Sequence, residues 1–213
     1  MISSLKIDNK IEPYNKIIQI DGDKSLSIRW ALLASQATGK SRAYKLLRSE
    51  DVLSTLNCLK TLGVKIKLHN KYCEIHGRGI NGFNYKKNLV LNAGNSGTLG
   101  RLILGLLVHS PKKIKLIGDK SLSKRDFSRI TTPLKKTGAK FFFNKKDKLP
   151  LYILGTELIK PIKYIENKGS AQCKSSVMLS SLNTKNEVLI KAKKSRNHTE
   201  LLFKYLKRSS VWF

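Results

Sequence analysis

The chain has 213 residues and a mass of 24.1 kDa, and its 42 lysines and arginines against 14 aspartates and glutamates give a net charge of +28. A hydrophobic content of 40% is typical of a globular protein and excludes a disordered one. Three scattered cysteines exclude a disulfide scaffold and a cysteine-cage zinc site, and they favour a reducing, cytoplasmic location. The histidines show no metal-ligand spacing, and the longest apolar run is too short to span a membrane.

Short apolar runs alternate with helical periodicity along the chain, which predicts a mixed α/β or α+β fold. A serine, Ser49, stands where it can cap the second helix, and Gly63 follows the end of that helix. In the first part of the chain we predict a strand at 17–20, helices at 26–38 and between Ser49 and Gly63, and strands at 64–68 and 72–76 joined by a two-residue turn. A helix at 98–109, a strand at 113–117, a helix at 127–137 and a strand at 139–143 follow. The last predicted elements are a helix at 171–182, a strand at 188–192 and a helix at 199–207.

The chain also repeats itself. Residues 22–29 and 118–125 are identical at seven of eight positions, and residues 59–65 are echoed by 134–140. The two pairs have different offsets, so the sequence predicts duplicated strand–helix units rather than one clean tandem repeat. The alternative is that Gly-Asp-Lys-Ser recurs because those residues suit any turn before a helix.

Four segments share one layout, in which a glycine- or serine-containing turn leads into a helix start with a basic residue close behind. The free N–H groups of a helix start attract anions, and a nearby hydroxyl or guanidinium strengthens that attraction. The segments are residues 23–29, 92–101, 121–125 and 169–176, and residues 195–200 present a further cation. The alternative for each segment is an ordinary capped helix with solvated charges. The glycines of 92–101 fit neither a Walker loop nor a dinucleotide fingerprint.

Other reactive side chains are weaker candidates. Cys173 lies among polar residues without a neighbouring histidine, so we predict a buried, inert thiol. Glu50 and Asp51 are predicted to cap the second helix rather than to transfer protons. The chain offers no convincing general base.

Together these segments resemble 5-enolpyruvylshikimate-3-phosphate (EPSP) synthases, the 3-phosphoshikimate 1-carboxyvinyltransferases. The resemblance runs in order through six motifs from residue 21 to about residue 200: GDKSLSIRWALLAS, LLRSEDVLSTLNCLKTLG, NAGNSGTLGRLILGLL, GDKSLSKRDFSRITTPLKKTGAKF, GSAQCKSSVMLSSL and SRNHTE. It implies transfer of the enolpyruvyl group of phosphoenolpyruvate to the 5-hydroxyl of shikimate 3-phosphate, with release of phosphate. The reaction needs no metal or cofactor, and it belongs to the route to chorismate and the aromatic amino acids.

The resemblance also implies roles for individual residues. Lys24 would lie between both substrates as the catalytic residue of this part of the enzyme. Shikimate 3-phosphate would be bound by Lys24, Ser25, Arg29, Ser170, Gln172 and Arg196, and phosphoenolpyruvate by Lys24, Gly97, Arg125 and Gln172.

Members of this family are about twice as long as this chain and form two globular halves, each an inside-out α/β barrel of three βαβαββ units. The resemblance therefore implies that residues 21–213 form one half-domain with an incomplete third unit, and that residues 1–20 cross to the other half. The general acid and base carboxylates would lie in that other half. We expect this chain to be inactive alone and to need a second half, which a separate gene could encode.

Two other functions stay open. The UDP-N-acetylglucosamine enolpyruvyltransferases share the fold, but Lys24-Ser25 stands where that family has Lys-Asn. A basic nucleic-acid-binding module would explain the charge of +28, but the lysines are spread along the whole chain, no known binding motif is present, and few aromatic residues lie beside basic ones. The sequence therefore predicts small anionic substrates and makes nucleic acid a less favoured partner.

Overall fold

The computed structural model describes residues 22–184 and 187–206, which form six α-helices and nine strands. The strand predicted at 17–20 lies outside these residues. The helices are α1 (Lys24–Gln36), α2 (Glu50–Thr61), α3 (Gly97–Leu106), α4 (Ser128–Lys135), α5 (Ala171–Ser180) and α6 (His198–Tyr205). The strands are β1 (Thr38–Tyr44), β2 (Lys65–Leu68), β3 (Tyr72–Arg78), β4 (Val90–Asn92), β5 (Ile114–Ile117), β6 (Lys140–Phe143), β7 (Leu151–Leu154), β8 (Lys163–Glu166) and β9 (Leu189–Ala192).

The strands form three small sheets. The first has the order β1-β3-β2 and is antiparallel throughout. The second has the order β4-β5-β7-β6, in which β4 and β5 are parallel and the other pairs are antiparallel. The third contains β8 and β9, which are parallel. The prediction of a mixed α/β fold is confirmed.

One βαβαββ unit is complete in the described residues and two more are recognisable in part. The elements β4-α3-β5-α4-β6-β7 follow one another in that order. The elements α1-β1-α2-β2-β3 repeat the same order without the first strand, and their sheet order β1-β3-β2 matches β5-β7-β6. A third unit begins with β8-α5-β9-α6, whose parallel strands match β4 and β5. The predicted duplication of strand–helix units is therefore present.

The two sequence echoes differ in meaning. Residues 59–65 and 134–140 occupy equivalent places, where α2 leads into β2 and α4 leads into β6, and the glycines at both turns have positive φ. Residues 22–29 and 118–125 do not: the first segment opens α1, whereas the second holds only a 3₁₀ turn, Leu122–Lys124. Their likeness comes from capping, because Asp23 accepts the N–H of Leu26 and Asp119 that of Leu122, both at 2.7 Å.

Several element predictions are confirmed within a few residues, and four strands were missed. Most of β1 is exposed and polar, so only its pairing with β3 makes it a strand. The strands β4 and β8 are short, and β7 follows a loop rich in lysine. Ser49 does stand at the start of α2, but its side chain makes no capping hydrogen bond.

Two helices lie inside the protein rather than on its surface. In α3 all residues except Thr98 and Arg101 are buried, and in α5 every residue from Cys173 onward is buried. The two helices pack closely at Gly105, where a Cβ atom would stand 2.1 Å from the backbone oxygen of Ser176. The starts of these central helices are therefore held in fixed positions by the core.

Candidate anion-binding site

A cavity of about 310 Å³ lies where the N-termini of α1, α3 and α5 come together. The first two residues of each helix line it, which makes the three contributions equivalent positions of the three units. They are joined by Arg29 from farther along α1, by Asn95 and by one charged residue from the second part of each of the three units. The lining residues are Lys24, Ser25, Arg29, Asp51, Asn95, Gly97, Thr98, Arg125, Ala171, Gln172 and Arg196.

The start of α1 supplies an ammonium group that is already paired. Lys24 Nζ lies 2.6 Å from the carboxylate of Asp51, in the first turn of α2. Half of the Lys24 side chain is exposed, so the group can be reached from the cavity. The interpretation of Asp51 as a helix cap was incomplete, because this carboxylate also lines the cavity and holds Lys24 in place.

Arg29 is the buried cation of the site. Its Nε donates to Thr199 Oγ1 at 2.8 Å, and its two terminal nitrogens donate to the Ser25 carbonyl at 3.1 Å and to Ser175 Oγ at 3.3 Å. Burial lowers the pKa of the Arg29 guanidinium, and the nearby Glu200 carboxylate opposes that shift. Two of its five N–H groups thus connect α1 with α5 and α6, a third bonds within α1, and two make no hydrogen bond to the described residues.

The loop before α3 brings a guanidinium against the backbone. Ser96 caps α3 by accepting the N–H of Leu99, and Asn95 donates to Asp119 at 2.5 Å, which ties this loop to the segment before Arg125. A Cβ atom on Gly97 would lie 2.8 Å from Arg125 Nη1. The glycine is therefore required for the close approach of Arg125, which explains this residue type at the helix start.

The start of α5 is held from two sides. Glu166, at the end of β8, is buried and accepts the Ser170 N–H at 2.5 Å and an Arg129 N–H at 2.7 Å. Burial alone would raise the pKa of Glu166, but these hydrogen bonds outweigh burial and lower it. On the other side, Gln172 Oε1 accepts from Arg101 at 2.6 Å, and Gln172 Nε2 donates to Thr98 Oγ1 at 3.0 Å.

Seven of the eight predicted site residues line this single cavity: Lys24, Ser25, Arg29, Gly97, Arg125, Gln172 and Arg196. Ser170 does not line it; its hydroxyl caps α5 by accepting the Cys173 N–H. Its role as a ligand-binding residue stays a prediction.

Two of the cation-rich segments differ from the others. Lys174, in the first turn of α5, is buried and pairs with Glu200 of α6. Arg125 follows the 3₁₀ turn at Leu122–Lys124, so the helix start predicted in residues 121–125 is limited to that turn.

Four lining residues were not predicted from the sequence: Asp51, Asn95, Thr98 and Ala171. Asn95 and Thr98 belong to the glycine-rich segment that was singled out, so the segment was recognised but not its side chains. Four cations line the cavity, namely Lys24, Arg29, Arg125 and Arg196, against one carboxylate, Asp51. With three helix N-termini adding partial positive charge, the arrangement favours a small molecule with two or more negative charges.

Thiol and metal chemistry find little support among residues 22–184 and 187–206. Cys58, Cys73 and Cys173 are all buried, and burial raises the pKa of Cys58 to about 12 and that of Cys73 to about 11. The prediction of a buried Cys173 is confirmed. Within the same residues, no three His, Cys, Asp or Glu side chains group as metal ligands. None of the helices described there is long and apolar enough to cross a bilayer.

The family profile of EPSP synthase (3-phosphoshikimate 1-carboxyvinyltransferase) matches residues 9–211. The chain belongs to the EPSP synthase family. It is 40% identical over 202 residues to the 3-phosphoshikimate 1-carboxyvinyltransferase of Streptococcus mutans, covering 94% of this chain and 47% of that protein. The namesake from Streptococcus suis is 40% identical over 198 residues, covering 92% and 46%.

A solved EPSP synthase from Acinetobacter baumannii has the same fold over the aligned part. It superposes with a TM-score of 0.82 at 34% identity, covering 88% of this chain and 42% of that one. The chain thus spans about half the length of the relatives it matches.

Proposed function

We propose that this chain forms the shikimate 3-phosphate side of an EPSP synthase and transfers the enolpyruvyl group of phosphoenolpyruvate together with a second half. The observation that carries this proposal is the convergence of Lys24, Arg29, Gly97, Arg125 and Gln172 on one cavity. Both substrates are small polyanions, and the cavity has a surplus of cations. The product would enter the route to chorismate and the aromatic amino acids.

Each substrate takes its own part of the cavity in this proposal. Shikimate 3-phosphate is held by Lys24, Ser25, Arg29, Ser170, Gln172 and Arg196. Phosphoenolpyruvate is held by Lys24, Gly97, Arg125 and Gln172. The two free N–H groups of Arg29 suit a phosphate or carboxylate, and the Gly97 backbone lets an anion approach α3 closely.

The proposed chemistry is an addition followed by an elimination. The 5-hydroxyl oxygen of shikimate 3-phosphate bonds to the central carbon of phosphoenolpyruvate as the hydroxyl loses its proton and the methylene carbon gains one. The resulting tetrahedral species then loses a proton from the new methyl group and expels phosphate, which restores the double bond. Lys24 and Arg125 neutralise the phosphate as it leaves, and Arg29 fixes shikimate 3-phosphate in position. Fixed cations lower such a barrier because they need no rearrangement while charge develops. The proposed reaction uses no metal and no cofactor.

A second half completes the site in this proposal. The relatives are about twice as long as the matched part. In this proposal the carboxylates that transfer protons lie in the other half. We place the two halves in the inside-out barrel arrangement of the family, with residues 1–20 crossing between them, in the cytoplasm. The repeat of βαβαββ order within residues 22–206 supports the barrel arrangement.

Calorimetry and a phosphate-release assay test the two parts of the proposal separately. We expect the purified chain to bind shikimate 3-phosphate and to lose at least tenfold in affinity in Arg29→Lys, because a lysine cannot replace the three hydrogen bonds of the arginine. Arg48→Lys, the same change at an exposed arginine outside the cavity, is the matched control. Turnover by the chain alone would refute the need for a second half, and no binding of either substrate would refute the site.

The charge of +28 favours one other function, nucleic-acid binding. Filter binding of RNA and DNA across salt concentrations distinguishes it from the enzyme. Tight binding with a steep salt dependence, together with no calorimetric signal for shikimate 3-phosphate, would replace the enzyme proposal. Weak nucleic-acid binding that disappears at physiological salt would support the enzyme proposal.

A further inference from the structure

Gln172 accepts a hydrogen bond from one side chain of α3 and donates one to another. Thr98 and Arg101 are three residues apart in α3 and therefore share the face that meets α5. The Gln172 amide lies against both: Oε1 is 2.6 Å from Arg101 Nη1, and Nε2 is 3.0 Å from Thr98 Oγ1. The amide is thus fixed at both of its ends.

The arginine decides which way the amide points. A guanidinium carries only donors, so the group that faces Arg101 must be the carbonyl oxygen of Gln172. The reversed amide would bring two donors together. Once Nε2 has donated one proton to Thr98, its second N–H is the group that Gln172 turns to the cavity, which this side chain lines.

Arg101 itself is fixed independently of any ligand. Its guanidinium carbon lies 5.7 Å from the centre of the Phe127 ring, and the backbone carbonyl of Arg101 accepts the Ser176 hydroxyl at 2.9 Å. A Cβ atom on Gly97 would lie 3.3 Å from Arg101 Nη1 and 2.8 Å from Arg125 Nη1, so two guanidinium groups flank this glycine. Arg101 is not among the residues that line the cavity.

We propose that Arg101 is a positioning residue that locks Gln172 as an N–H donor to an anionic oxygen of the bound substrate. This proposal rests on the proposed function, since it takes Gln172 as a ligand-binding residue. Without Arg101 the amide can rotate and present its carbonyl oxygen, which repels an anion. Beside Gln172, Arg101 thereby makes the cavity favour a ligand group that accepts a hydrogen bond, such as an anionic oxygen, over a ligand group that donates one.

Calorimetry with phosphoenolpyruvate and shikimate 3-phosphate on the whole chain tests the proposal. We expect Arg101→Met to weaken binding of at least one of them about tenfold, because the charge-assisted hydrogen bond from Arg101 that orients Gln172 is lost. Arg101→Lys should restore most of the affinity, because an ammonium group also only donates. Gln172→Glu should bind worse than Arg101→Met, because it keeps a partner for Arg101 but turns a carboxylate oxygen to the anion. Lys87→Met is the control for loss of a positive charge.

A double-mutant cycle separates positioning from a direct charge effect. If Arg101 acts through Gln172, Arg101→Met should change affinity less than about twofold in a Gln172→Leu background. An equal tenfold loss in both backgrounds would overturn the proposal, because Arg101 would then act on the anion by its own charge.

Amide NMR of the ligand-free chain separates this proposal from the proposed function. The two side-chain amide protons of Gln172 should have distinct, dispersed shifts in the unaltered chain and approach those of a free glutamine in Arg101→Met. Unchanged shifts in Arg101→Met would overturn the positioning role even if both substrates bind. Changed shifts in a chain that binds neither substrate would support the amide orientation and refute the proposed function.

Discussion

The ion pair between Lys174 and Glu200 gives a stability prediction whose size depends on whether one partner or both are removed. The two side chains are only 8% and 7% exposed, and they join α5 to α6. Glu200 Oε2 has no hydrogen-bond partner among the described residues, so the pair does not fully compensate its own desolvation. Replacing Glu200 with leucine leaves a buried, unpaired ammonium group.

We expect Glu200→Leu to lower the free energy of unfolding by about 3–5 kcal/mol, the range for a broken buried pair. With a urea dependence of about 2 kcal/mol per molar, the midpoint should fall by about 2 M. The double variant Lys174→Met, Glu200→Leu should recover most of that loss, since it removes both buried charges.

Urea unfolding followed by circular dichroism measures both effects, and Glu187→Gln, an exposed acid, is the control. A double variant that is no more stable than Glu200→Leu would refute the reasoning. So would a loss below about 1 kcal/mol in Glu200→Leu, because that is the value of an exposed pair.

Three further predictions concern close approaches and titration. Gly97→Ala places a methyl group 2.8 Å from Arg125 Nη1, so the flexible side chain should move away and calorimetry should show phosphoenolpyruvate affinity falling about tenfold with little change in stability. Gly105→Ala places its methyl group 2.1 Å from the Ser176 backbone oxygen, where nothing can yield easily, and urea unfolding should show a loss of about 1–3 kcal/mol or more. Hydrogen bonds from Arg42 and His76 lower the pKa of Glu74 to about 2, so its contribution to stability should be present above about pH 4.5 and lost as the pH falls toward 2. Thermal unfolding against pH should show that loss in the unaltered chain and a smaller one in Glu74→Gln.

Much of the site could be predicted because its signals are local. A glycine or serine turn, a helix start and a following cation occur within a few residues, so the segments, with Lys24 and Ser25, could be selected locally. The roles of Gly97 and Gln172 came from the resemblance to EPSP synthases. These residues meet in one cavity because the three units pack together. The sequence indicates equivalent units only through the weak similarity between residues 59–65 and 134–140.

The parts that were missed depend on partners that are far apart in the chain. Asp51 was interpreted as a cap because its partner, Lys24, is on another helix. The burial of Lys174 could not be predicted, because its partner, Glu200, lies on another helix. The strand β1 was missed for the same reason, since its exposed, polar pattern becomes a strand only through pairing with β3.

The repeated unit explains why an anion site forms at this place. The first helix of each unit contributes its first two residues to the cavity: Lys24 and Ser25, Gly97 and Thr98, and Ala171 and Gln172. Three helix N-termini then point at one volume, and each carries unsatisfied N–H groups and partial positive charge. The segment leading into or starting the second helix of each unit adds one charged side chain, which is Asp51, Arg125 or Arg196. Among these three side chains, Asp51 is paired with Lys24, whereas Arg125 and Arg196 are exposed. An anion bound here is consequently held by contacts from all three units, so its binding should also stabilise their packing against one another.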